Sequence, residues 1–199
     1  MEKRAAILAA AVDLFTRQGF DGTSMDAVAS AAGVSKLTVY SHFGDKDRLF
    51  REVLRSRVSE LLPERSYEFD PDISMRDNLL RVALMHVRID CDQAAVGMFR
   101  AILSDCRDGR PRYGTLIWEE GMLRTNKLVV SLLKQAVEAG KLDIDDVETA
   151  AVQFMALVKG SLVMRRLLGC PDCDQSYAAQ LEDTARAGVE TFLRAFAPR

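Results

Sequence analysis

Apolar residues recur along this chain at intervals of three and four, the spacing that lines one face of an α-helix. Ile7, Leu8, Ala11, Val12 and Phe15 open the first stripe. Met75, Leu79, Val82, His86 and Ile89 form a second, introduced by a Ser74–Asp77 capping box. Val96, Phe99, Leu103 and Cys106 form a third. The longest runs through Trp118, Met122, Thr125, Val129, Leu132 and Ala136, with Gly140 placed to stop it. Val147, Ala151, Phe154, Val158 and Leu162 form the next, and Ala178, Leu181, Ala185, Gly188, Val189, Phe192 and Phe196 the last. Proline removes a helix donor and clashes with the preceding turn. Pro63, Pro71, Pro111, Pro171 and Pro198 all fall between stripes, so long helices are permitted throughout. Alternating Val/Ile/Thr runs and hairpin dipeptides between them are absent from the sequence. The pattern predicts an all-α protein.

The polar stretch from Pro63 to Ile73 carries two prolines and is the natural boundary between a small unit, 1–62, and a larger helical one, 63–199. Of the 199 residues, 48% are hydrophobic and 28% charged, which excludes a disordered tail, a collagen-like repeat and a disulfide miniprotein. The net charge of -2 excludes a strongly basic coat protein for nucleic acid but leaves room for a local basic surface. Four cysteines are too few to hold the fold together and suit a reducing cytoplasm. No apolar run approaches the roughly 18–20 residues that span a bilayer. The charged-then-apolar start, Met1 to Val12, has the look of a short secretory signal. Asp13, Arg17 and the helical spacing through Phe15 favour an amphipathic first helix instead.

Residues 24–50 change the picture most. Ser24 can cap a short helix with Met25, Val28 and Ala29 inside, and Gly33 can close it. Val34 plugs the corner, and Ser35 can cap a second short helix running to about Phe43. Two short helices joined by a glycine turn make the helix-turn-helix plan, and Ala29, Ala32 and Val34 are small enough for a close crossing. Between Asp26 and Asp45 there is no acidic residue, although the chain holds 29 in 199. Lys36, Thr38, Tyr40, Ser41 and His42 supply hydrogen-bond donors, while Val39 and Phe43 can point inward. Lys46 sits at the start of the next helix, where free backbone amides favour a phosphate. A plain helical hairpin with a solvated polar face explains the glycine turn alone. It does not explain the conjunction of caps, small crossing residues, acid-free helix and the closing Tyr40-x-His42-Phe43-x-x-Lys46 phrase.

With those residues in place, the first 62 or so resemble the DNA-binding domain of tetracycline-repressor-type (TetR family) transcriptional regulators. The match runs from Gly19-Phe20-Asp21-Gly22-Thr23-Ser24 through Ala32-Gly33-Val34-Ser35 and Thr38-Val39-Tyr40-Ser41-His42-Phe43 to Lys46-Asp47-Arg48-Leu49-Phe50. The resemblance implies a homodimer whose third helix enters the major groove of a palindromic double-stranded DNA operator. It implies phosphate contacts from Tyr40, His42 and Lys46 and groove-facing positions at Lys36, Leu37, Thr38 and Ser41, with Ser24 also at the DNA surface. Leu37 stands where glycine or proline is often found.

The larger half resembles the family in its helix plan and in the phrase Ala139-Gly140-Lys141-Leu142. The resemblance implies that it binds a small effector and forms the dimer. His86, Phe99, Trp118, Met122, Phe154 and Met155 are candidates to line a largely apolar effector pocket, although residues of these types at helical spacing more often belong to ordinary core. The final stripe, Ala178, Leu181, Ala185, Gly188, Val189, Phe192 and Phe196, is the expected dimer interface, with the chain's own core as its other use. Cys170-Pro171-Asp172-Cys173 lacks a second ligand pair for zinc, and Asp172 and Asp174 favour the neutral thiol. No metal or cofactor is expected. The expected function is therefore a cytoplasmic, non-enzymatic, ligand-responsive transcription regulator that represses and is released by its effector. The alternative is an all-helical thiol oxidoreductase using Cys170 and Cys173.

Overall fold

A computed structural model describes residues 2–105, 112–170 and 177–198. Among them are helices and connecting turns and no strand. The helices are α1 (Glu2–Gly22), α2 (Met25–Ala31), α3 (Lys36–Phe43), α4 (Lys46–Leu61), α5 (Met75–Cys91), α6 (Gln93–Asp105), α7 (Arg112–Ile117), α8 (Arg124–Glu138), α9 (Val147–Lys159), α10 (Leu162–Leu167) and α11 (Tyr177–Phe196). A 3-10 turn, Glu64–Tyr67, follows α4, and a π-helical turn, Trp118–Leu123, separates α7 from α8.

Local chemistry explains the boundaries. Ser24 Oγ accepts the Ala27 amide at 3.0 Å and Ser35 Oγ accepts the Thr38 amide at 3.1 Å, so both short helices begin at the serines the sequence marks. Gly33 has φ +64°, a left-handed conformation that costs a glycine almost nothing, and it lets the Val34 amide reach back to Ala29 O at 3.0 Å. Ser74 accepts the Asp77 amide at 3.0 Å and opens α5. Asp146 caps α9 through the Thr149 amide.

The compact units do not follow the chain in order. The first joins the residues up to Glu60 with Gln93–Gly121, and the second joins Leu61–Asp92 with the residues from Met122 onward. The physical reason lies in the first unit's core. Ile102 of α6 and Leu116 of α7 are buried in the same cluster as Ile7, Ala11 and Phe15 of α1, Val39 of α3 and Leu49, Phe50 and Val53 of α4. Phe15, Phe20 and Phe50 meet in that cluster with ring centroids 4.9 to 5.9 Å apart.

In the second unit α11 lies against α5 and α9, and α8 against α9. Leu79, Val82 and Ala83 of α5, Leu132 and Leu133 of α8, Ala151 and Phe154 of α9 and Leu181, Ala185, Val189 and Phe192 of α11 are fully buried. Asn78 fastens the proline-bearing segment to α5, accepting the Asp70 amide at 2.9 Å and donating to its carbonyl at 2.8 Å.

Two expectations change here. The final stripe faces its own chain: Leu181, Ala185, Gly188, Val189 and Phe192 are buried against α5 and α9, with only Ala178 exposed and Phe196 half-buried. Residues without accessible surface inside one chain have none left for a second copy. Gly188 shows how close the approach is, because a Cβ there would stand 2.7 Å from the carbonyl carbon and oxygen of Leu157. The stripe ending in Leu162 is also divided, since α9 stops at Lys159 and Gly160 turns the chain with φ +54° before α10.

Candidate DNA-binding site

α3 is held by its inner face and offers its outer one. Val39 and Phe43 are buried in the first unit's core, whereas Lys36, Leu37, Tyr40, Ser41 and His42 are exposed and Thr38 is half-buried. Much of the polar chemistry on that face is already paired within the chain. Lys36 Nζ sits 2.7 Å from Asp26 Oδ1 of α2 and donates to its Oδ2 at 3.0 Å, and this hydrogen bond, with the carboxylate's charge, raises the ammonium's pKa above its ordinary value. The Thr38 and Ser35 hydroxyls share a 2.8 Å hydrogen bond, and Ser41 Oγ donates to Thr38 O at 2.9 Å. Ser24 accepts at its cap. The acid-free helix thus carries one acidic neighbour that linear reading misses, because Asp26 reaches it across the turn.

Lys46 is placed with care. Its ammonium lies 4.1 Å from the centroid of the Phe20 ring and donates to Asp21 O at 3.5 Å. The charge stands at the start of α4 on top of the three-phenylalanine cluster. Tyr40, Ser41 and His42 line a concave depression of about 490 Å³ together with Arg4, Arg48, Arg51, Arg55 and Glu52. Arg4 pairs with Glu52, Arg55 with Glu52 and Glu120, and Arg48 stands 3.6 Å from Asp45. Arg51 pairs with no acidic residue among the described residues. The sequence reading missed these arginines. Their signal was the spacing of 48, 51 and 55 on one helical face.

The effector candidates are divided between the units. Phe99, half-buried, and Trp118, 56% exposed, belong to the first. Met122, exposed, Met155, half-buried, and the buried Phe154 and His86 belong to the second. Phe154 packs edge-on to Phe192 at 5.2 Å, which makes it core. His86 is the chemically distinctive member. Its Nε2 shares a 2.9 Å hydrogen bond with Tyr67 Oη, and Thr125 also hydrogen-bonds Tyr67. Burial, followed by the charge of Lys159, pushes the imidazole pKa down to about 3, so the ring is neutral at pH 7. Burial pushes the Tyr67 phenol in the opposite direction.

Cys170 is half-buried, while Cys173 and Cys106 lie outside the described residues. Burial pushes the Cys91 thiol upward, away from thiolate chemistry. The described residues include no His/Cys/Asp/Glu group able to hold a metal ion and no helix long and apolar enough to cross a membrane.

Comparison with known proteins agrees with this geometry at both ends of the chain. Residues 7–53 match the family model of bacterial regulatory proteins of the tetR family, and residues 77–198 match that of the AefR-like transcriptional repressor C-terminal domain. The HTH-type transcriptional regulator YhgD of Bacillus subtilis is 26% identical over 142 residues, covering 70% of each chain. The flavonoid-responsive regulator FrrA superimposes with a TM-score of 0.80 at 32% identity, covering 99% of this chain and 98% of that one. A crystal structure from Mesorhizobium loti, described as a TetR-family transcriptional regulator, gives 0.83 at 29% identity, covering 98% and 96%. A capped helix-turn-helix head, an all-helical remainder and two family models that together take in most of the chain lead to one assignment: this protein belongs to the TetR family of transcriptional regulators and carries that family's DNA-binding domain.

Proposed function

We propose that the chain is a homodimeric repressor that binds a palindromic operator and lets go when a small, largely apolar effector enters its larger helical unit. The observation that carries the reading is the outer face of α3, anchored from behind by Val39 and Phe43 and flanked by Tyr40, His42 and Lys46. A helix fixed in this way can enter a major groove while the flanking donors grip phosphates. Ser24, Lys36, Thr38 and Ser41 complete the DNA surface, with Arg51 as a further phosphate contact. The AefR-like repressor model supports repression, and the flavonoid-responsive regulator FrrA supports control by a small organic molecule. Such control requires an effector that binds the two conformations with different affinity. Within the second unit, His86 and Tyr67 supply the polar pair that would orient such a ligand, with Met155 as an apolar candidate beside it in the same unit.

The dimer surface moves from the buried stripe to the outward face of α9 and α10. Val152, Leu157 and Met164 are exposed there beside Ala156. Covering these side chains with a second copy removes apolar surface that the single chain leaves in water. A regulator of this kind works in the cytoplasm, with its DNA.

Selection of duplexes from a random pool by the full-length protein tests the reading. The expected product is a palindrome with half-sites about 34–36 Å apart or a multiple of that spacing, bound with steep salt dependence. Recovery of no enriched sequence, or of a single unrepeated half-site, would count against it.

A further inference from the structure

Leu37 is, at 78%, the most exposed large apolar side chain among the described residues. It lies in the first turn of α3, the part of a recognition helix whose side chains reach base edges. It has no role in the core, which Val39 and Phe43 supply from the opposite face. The polar residues around it are engaged: Lys36 with Asp26, Thr38 with Ser35, Ser41 with the Thr38 carbonyl. Leu37 is thus the side chain on this turn with neither a polar bond to keep nor an apolar neighbour to leave. The major groove presents one apolar group, the C5-methyl of thymine.

We infer that Leu37 is a specificity-determining residue that selects a thymine in each half-site by apolar contact with its C5-methyl. The inference rests on the DNA-binding reading and adds to it the chemistry of one base position. Removing a single methyl from such a contact should cost about fourfold in affinity, the equivalent of exposing one CH₂ group.

The experiment uses the full chain and the duplex recovered from the random pool, with each thymine replaced in turn by deoxyuridine. Deoxyuridine keeps every hydrogen-bonding atom and lacks only the methyl. The wild-type protein should lose about fourfold at one thymine per half-site. Leu37→Ala should bind the thymine duplex more weakly yet show no loss on that replacement, and Leu37→Met, which keeps an apolar tip, should retain the loss. Lys46→Ala should weaken both duplexes equally and leave the thymine-to-uracil ratio unchanged. The inference is overturned if no thymine shows a penalty, or if Leu37→Ala shows the wild-type penalty at every position. It is also overturned if Leu37→Met abolishes binding to both duplexes while its helical circular dichroism is intact. In each of these cases duplex binding by the wild type still upholds the DNA-binding reading. If the wild type binds no duplex, that reading falls and takes this inference with it.

Discussion

The α2–α3 crossing and the α9–α11 crossing are both built from small residues, and only one of them leaves its neighbouring helix face free. At the first, Ala29 and Val34 let α3 settle on the core through Val39 and Phe43, with Leu37, Tyr40, Ser41 and His42 outside. At the second, Ala185 and Gly188 admit the α9 backbone so closely that the apolar stripe of α11 is consumed within the chain. The difference teaches that helical periodicity tells which face is covered but not what covers it. Caps and turns act over three or four residues and can be read locally. The element that covers a stripe is chosen by contacts distant in sequence.

The largest test of this contrast places one charge on the buried stripe of α11 and another on the exposed face of α9. Phe192→Asp should destroy the cooperative fold, losing more than about 4 kcal/mol in denaturant unfolding, because an unpaired carboxylate would replace a ring packed on Phe154. Val152→Asp, on the exposed face of α9, should leave unfolding of the isolated chain nearly unchanged and shift sedimentation towards monomer. An unfolded Val152→Asp protein together with a folded Phe192→Asp protein would reverse the assignment of the two faces.

Acid should separate the regions next. The His86 pKa is depressed to about 3 in the folded chain against an ordinary value near 6.5, so between those values the unfolded state binds the extra proton. This contribution to stability is fully present above pH 6.5 and is lost as pH falls towards 3. His86→Gln should flatten that slope when its denaturant unfolding is compared with wild type at pH 7 and pH 4. Hydrogen exchange should show α5 losing protection before α1–α3. Equal slopes in both proteins would show that His86 is not the group responsible.

A smaller effect is expected at Gly188. Alanine there must displace the Leu157 backbone, costing about 1–3 kcal/mol as overpacking, partly offset by alanine's better helix propensity. Denaturant midpoints would record it, and an unchanged midpoint would mean that α9 and α11 separate easily.

The smallest changes belong to the DNA head. Lys46→Ala and Arg51→Ala should each lower the slope of log affinity against log salt by about one unit, with sequence preference unaltered. An unchanged slope for Arg51→Ala alone would confine the phosphate contacts to Tyr40, His42 and Lys46.

How much was legible follows the same division. Ser24, Gly33, Ser35 and Ser74 act where the sequence placed them, because each works on a neighbour within a few residues. The Lys36–Asp26 pair and Lys46 over Phe20 join residues ten or more apart, and no periodicity encodes them, whereas the arginine-lined depression showed only in the spacing of Arg48, Arg51 and Arg55. Gly160 stood in plain sight, but Leu162 extended the apolar register past it and hid the end of α9. His86 sat on an apolar stripe as expected, while its partner Tyr67 came from a segment that looked like a mere connector.

The seat of Lys46 over Phe20 also governs when conformational freedom is surrendered. A solvated lysine gives up as much as about 2 kcal/mol of rotamer entropy when it is fixed. Here the aromatic ring and the Asp21 carbonyl hold the ammonium during folding. On the proposed DNA-binding role, a phosphate arriving at this turn meets a charge already seated on the ring, so binding forfeits less disorder than it would with a solvated lysine. In that proposed role the three-phenylalanine cluster beneath it belongs to the thermodynamics of recognition as well as to the fold.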